Sequence, residues 1–174
     1  MKRRTAMALP LVLAACTDDP VTNYAWGIGD PVRGAALYAT RNLGDTSRWD
    51  GDPAGAAIAA AQLEFLARTF RDDPVWSFRV QTATTQELQN AVLEMRGALG
   101  ISPTAPNQAV ELSLRDAGRA LRAGSQARAL AALSGPNFLV PPEEVLRRLG
   151  SLPRLRQVSS AAGMANNDVM SFRR

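Results

Sequence analysis

The stretch Pro53-Ala54-Gly55-Ala56-Ala57-Ile58-Ala59-Ala60-Ala61-Gln62-Leu63-Glu64-Phe65-Leu66-Ala67-Arg68-Thr69-Phe70-Arg71 decides the fold. Ala59, Leu63, Leu66 and Phe70 recur at helical spacing, and Phe65 widens their stripe. Asp52 stands before it as an N-cap and Pro53 suits the first helical position. Asp72-Asp73-Pro74 ends it. The alanines between 56 and 61 leave room for a neighbouring helix to come close. A helix of this kind needs helical partners, and the composition supplies them. Thirty alanines against ten aromatic residues favour close-packed helices over strands, which prefer β-branched and aromatic side chains.

Upstream, Asp30 and Pro31 repeat the cap-and-proline start, predicting a helix from Pro31 to Leu43 that Gly44-Asp45-Thr46-Ser47 breaks. Asp45, Asp50 and Asp52 lack the alternating spacing of a calcium loop and read as turn and cap residues. Downstream, Trp76, Phe78 and Val80 alternate, but a lone strand has no partner. The expectation is an irregular connector that packs Trp76 and Phe78 inward. Thr84-x-x-Glu87 reads as a capping box opening a third helix, with Leu88, Val92, Met95 and Leu99 inside and Gly100 closing it. A fourth helix is expected from Asn107 to Ala123, then a shorter one ending before Gly135 and another begun by Pro141-Pro142-Glu143-Glu144. Residues 156–174 read as a loosely ordered tail, the looseness clearest from Ala161 on. The expectation is all-α: a single small bundle of about five to six helices over residues 31–155. Ala117-x-x-Ala120-Leu121-x-x-Gly124, continuing to Ala129-Leu130, is similar to one corner of a tetratricopeptide-type hairpin over about fifteen residues, with no longer period repeating it.

The N-terminus has a different character. Lys2-Arg3-Arg4 precede an apolar segment from Thr5 to Ala15, broken by Pro10. A spanning helix needs roughly 20 apolar residues, so eleven are too few for a permanent anchor and suit a secretory leader instead. Leu13-Ala14-Ala15-Cys16 then resembles a lipobox, the site that bacterial lipoprotein precursors present to their signal peptidase. The resemblance implies cleavage of residues 1–15, acylation of Cys16 and attachment to a membrane facing the periplasm. Thr17 in place of aspartate implies, by resemblance to envelope-sorting rules, the outer membrane rather than the inner. Residues 16–30 would be a tether reaching on the order of 20 Å by random-chain scaling. Tyr24 and Trp26 lie within it and suit either the domain surface or the bilayer interface. Gly27-x-Gly29 follows no strand and is no dinucleotide fingerprint.

Absences narrow the chemistry. The chain has no histidine, no lysine after Lys2 and one cysteine. Histidine-based triads, lysine dyads and Schiff bases, His/Cys zinc sites and the lysine of a phosphate loop are therefore closed to it, leaving carboxylates, hydroxyls, arginine or a hard metal ion for any catalysis. No cofactor or metal is expected, and a non-catalytic module is the leading reading. A carboxylate enzyme acting on cell-wall glycan would need an acid facing a cleft. Glu64, interrupting the apolar helix between Leu63 and Phe65, is the acid to test, though its position suggests the water-facing edge of the stripe. A carrier would instead need a dry pocket lined by Leu63, Phe70 and Trp76.

Without the leader the charge is only +1, too balanced for a phosphate-backbone binder, so no nucleic-acid partner is expected. The charge is unevenly spread: residues 16–114 carry −5 and residues 115–174 carry +6. Arg115, Arg119 and Arg122 fall on one side of the fourth helix and could meet lipid phosphates, peptidoglycan carboxylates or an acidic envelope protein. The plainer reading pairs Glu111 with Arg115 and Asp116 with Arg119 along a solvated face.

Overall fold

A computed structural model describes residues 30–172 of the 174. Within them lie seven α-helices and no strand: α1 Pro31–Leu43, α2 Pro53–Asp72, α3 Thr82–Leu99, α4 Asn107–Arg122, α5 Gln126–Ala132, α6 Pro142–Leu149 and α7 Arg156–Ser171. An isolated antiparallel bridge between Ile101 and Phe138 is the one extended pairing among them. The all-α bundle expected from the sequence is what forms, with one or two more helices than anticipated.

α2 is the central element, buried from Ala54 to Glu64 on nearly every face. Asp52 caps it by accepting the Gly55 N–H at 2.9 Å. α4 packs along it, with α1, α3 and α6 on its other sides. The small side chains set this closeness. A Cβ on Gly118 of α4 would stand 2.7 Å from Ile58 and 3.1 Å from the Ala54 carbonyl of α2. Asp30 caps α1 through the Val32 N–H at 2.9 Å. A buried polar chain then ties α1 to α2: Asn42 donates to Gln62 at 2.7 Å, and Gln62 donates to the Ala35 carbonyl at 2.7 Å. Asp45 caps a 3₁₀ turn, Thr46–Trp49, whose Thr46 hydroxyl holds the Pro153 carbonyl and the Leu155 N–H. α4 turns into α5 across Gly124, whose φ of +72° is left-handed, and the two helices pack together.

The structure corrects the expected tail. Residues 156–171 form α7, which packs between α1 and α3 and buries Val158, Ala161, Ala162, Ala165 and Val169. Glu94 of α3 caps its start, accepting the N–H groups of Gln157 and Val158 at 2.9 and 3.1 Å. Near its end Asp168 accepts two hydrogen bonds from Gln81, at 2.9 and 3.0 Å. Alanines give a weak hydrophobic stripe, and Asn166-Asn167 lower helix propensity, so tertiary caps supply what local sequence lacks. Two local expectations are corrected as well. α3 begins at Thr82 with no side-chain cap, and Thr84 is buried in its first turn rather than capping it. In the connector, Trp76 is buried but Phe78 is 90% exposed. Asp73 accepts the N–H groups of Val75 and Trp76, folding the segment into turns where residues two apart do not share a face.

Candidate functional site

Glu64 and Arg96 meet in the interior. Arg96 Nε donates to Glu64 Oε1 at 2.8 Å and its Nη2 to Oε2 at 2.7 Å, a two-pronged pair in which each residue is at least 97% buried. Asn107 Nδ2 adds a third donor to Oε2 at 2.7 Å. The remaining Arg96 nitrogen, Nη1, donates to the carbonyls of Ser102, Pro103 and Ala105 at 3.3, 3.0 and 2.8 Å. One guanidinium thus holds α2, α3 and the loop leading into α4. Burial pushes the Glu64 carboxyl up from its ordinary range, against the pull of Arg96 and Asn107.

This placement corrects the expectation that Glu64 faces water. α2 is apolar on all sides here, and such a helix is buried all round. That signal was present in the sequence. The partner was not, because nothing local distinguishes Arg96 from the other arginines. A groove of about 340 Å³ runs past Arg71, Gln89, Leu93, Arg96 and Asn107, but Glu64 does not line it. With both oxygens bonded and almost no exposure, Glu64 is arranged as a brace rather than as a proton donor to a substrate. Of the three side chains a carrier's pocket would be lined by, Leu63 and Phe70 are fully buried, and Phe70 stacks on Trp76 with ring centroids 6.0 Å apart.

The arginine stripe divides. Arg115 Nη1 lies 3.4 Å from Glu111, which is also bridged by Arg68 of α2 at 3.1 Å. Glu111 is buried, so Arg115 belongs to a two-arginine clamp on an internal carboxylate. Arg119 is half exposed and stands 4.0 Å from Asp116, and Arg122 is exposed at the end of α4. The expected Glu111–Arg115 and Asp116–Arg119 pairs are both present. The position of Arg128 was missed: α5 brings it beside Arg119 at a groove of about 370 Å³ floored by Ala120, Ala123 and Ala132. Only the turn at Gly124 creates that neighbourhood.

Cys16 and the leader lie outside the described residues. Among the described residues no helix is long and apolar enough to cross a membrane, and no three metal-ligating side chains cluster. Asp45 and Asp52 are engaged in capping. Comparison of the chain with protein-family models, with characterised proteins and with solved structures finds no match.

Proposed function

We propose that the chain is a lipoprotein of the bacterial envelope, attached to a membrane by acylated Cys16, facing the periplasm and directed to the outer membrane. Its helical domain acts there as a non-catalytic interaction module. The observation that carries the second half is the state of Glu64: the acid best placed in the sequence for carboxylate chemistry is locked on Arg96 and Asn107. Tethering raises the effective concentration of anything held nearby, so a module with modest affinity is useful in that position. The contact surface is the arginine face of α4 and α5, where Arg119, Arg122 and Arg128 suit the carboxylates of an acidic envelope protein or of peptidoglycan.

Two measurements test the two halves. Cys16→Ser abolishes fatty-acid labelling and releases the protein from membranes; labelling that persists in the variant overturns the anchor. Arg119→Glu with Arg122→Glu leaves the circular-dichroism melt unchanged and removes a salt-sensitive partner from envelope pull-downs. Arg115 is kept in that variant, because a glutamate there would face buried Glu111 and confound folding with binding. Unchanged partners at unchanged salt overturn the arginine face as contact surface.

A further inference from the structure

The point where the tether would join the domain is fixed, and it lies at an apolar end of the molecule. Asp30 caps α1 with one carboxylate oxygen and accepts the indole N–H of Trp76 with the other, at 2.9 and 3.0 Å. The Trp76 ring also packs edge-on against Phe172, just past the end of α7, with centroids 6.3 Å apart. Gln81 and Asp168 hold the connector to the same end of α7.

Seven large apolar side chains are exposed among the described residues, and four of them, Val75, Phe78, Met170 and Phe172, belong to this connector and to the end of α7. Phe78 is the most exposed of the seven. The turn that carries it is rigid: Asp73 accepts two N–H groups, and the Trp76 carbonyl accepts those of Arg79 and Val80.

One cation stands beside this apolar group: Arg79 is exposed, with its guanidinium 5.9 Å above the Trp76 ring. Four aspartates also lie at this end, Asp72 paired with Arg71 and Asp30, Asp73 and Asp168 held by neutral N–H donors, so the apolar side chains rather than net charge carry the contact. Apolar side chains with one exposed arginine beside them, at the end where the anchored chain would enter the domain, fit the headgroup boundary of a phospholipid bilayer.

Length favours one end. A domain of this size has a radius of gyration of about 14 Å and hence a diameter of about 35–40 Å. The tether expected from the sequence reaches on the order of 20 Å. On average the end that carries Asp30 therefore lies nearer the membrane than the opposite end.

We propose that the end of the domain formed by Phe78, Val75, Met170 and Phe172 docks on the phospholipid surface, with Phe78 entering the headgroup boundary and Arg79 meeting lipid phosphate. The inference rests on the anchoring proposed above. It fixes the orientation of the module: the Trp76 end faces lipid, and the far end is presented to the envelope space. Leu139 marks that far end. Its N–H binds the Gly100 carbonyl at 2.8 Å, at the opposite end of α3, which spans about 27 Å at 1.5 Å per residue.

The test replaces the natural anchor. Residues 17–174 carry an N-terminal hexahistidine tag, which the otherwise histidine-free chain allows. Nickel-chelating lipid then holds the protein on vesicles of phosphatidylethanolamine with a minority of phosphatidylglycerol. With Cys16 absent, Phe78→Cys and, separately, Leu139→Cys each carry a single environment-sensitive fluorophore, folding being checked by circular dichroism. The expected result is a severalfold rise and blue shift at position 78 on vesicles, quenched by spin-labelled lipid, reduced by Arg79→Glu and absent at position 139.

No response at 78, or equal response at both positions, overturns the proposal. A signal at 78 that grows with protein concentration without vesicles overturns it in favour of a second copy. A blue-shifted signal without vesicles that disappears when residues 17–29 are removed overturns it in favour of the chain's own segment. Because nickel capture substitutes for acylation, none of these outcomes bears on Cys16, which fatty-acid labelling judges separately.

Discussion

Replacing Arg96 with methionine tests the brace. The substitution keeps length and apolar volume but removes the charge, leaving Glu64 in the interior with Asn107 as its only remaining donor. It also takes a donor from three carbonyls, of which Ala105 is the most buried. Breaking a buried pair by removing one partner costs about 3–5 kcal/mol. Domains of this kind have about 5–15 kcal/mol in total, so the variant folds marginally. With a urea m-value of about 2 kcal/mol/M, the midpoint falls by about 2 M, read by circular dichroism on residues 17–174. Adding Glu64→Leu removes the uncompensated charge and restores part of the loss, because a buried ion pair exchanged for apolar groups is often neutral. The loss also depends on pH. Burial raises the carboxyl above its reference of 4.5 in the folded state, so protonation favours folding there. The penalty in Arg96→Met is full at neutral pH and shrinks as pH falls toward 4.5 and below. An Arg96→Met midpoint within the error of the parent, or a double variant no more stable than the single one, refutes the reasoning.

Further outcomes follow from other contacts. Gly118→Val drives a side chain into Ile58 and the Ala54 backbone and lowers stability by about 1–3 kcal/mol, whereas Gly97→Ala, with nothing within 4 Å, raises it by about 0.5–1 kcal/mol; thermal melts that rank the two the other way contradict the α2–α4 seam. A chain ending at Leu155 lacks α7 and with it about 5–8 kcal/mol of apolar burial, so it loses its near-ultraviolet dichroism; a cooperative melt from that truncation would restore the expectation of a loose tail. Hydrogen bonds from Arg147 and Arg148 hold the Glu144 carboxyl down at about 2, so its contribution is complete above the reference of 4.5 and is lost as pH falls toward 2. Carboxyl-detected NMR titration checks this, with Arg147→Ala plus Arg148→Ala returning Glu144 to the ordinary range.

The helical class and the central helix were legible from residues 53–71, because apolar spacing and a proline behind a capping aspartate act within one or two turns. α1 was legible for the same reason, and so was the stop at Gly100, whose φ of +75° is one that glycine takes without strain. The Glu111–Arg115 pair also followed from spacing, since residues four apart on a helix are neighbours whatever the rest of the chain does. Other features depended on residues far apart in sequence. Glu64 and Arg96 are 32 positions apart, and only the packing of α3 on α2 chooses that arginine. α7 exists because Glu94 and Gln81, more than sixty residues upstream, satisfy backbone and side-chain groups that its own sequence leaves open. The exposure of Phe78 was equally hidden, since alternation suggests a strand until Asp73 bends the backbone. Short-range patterns fix which segments coil, because their energies are local. Which charges are buried, and which end of the molecule is left apolar, is decided by contacts that exist only once distant segments are in place.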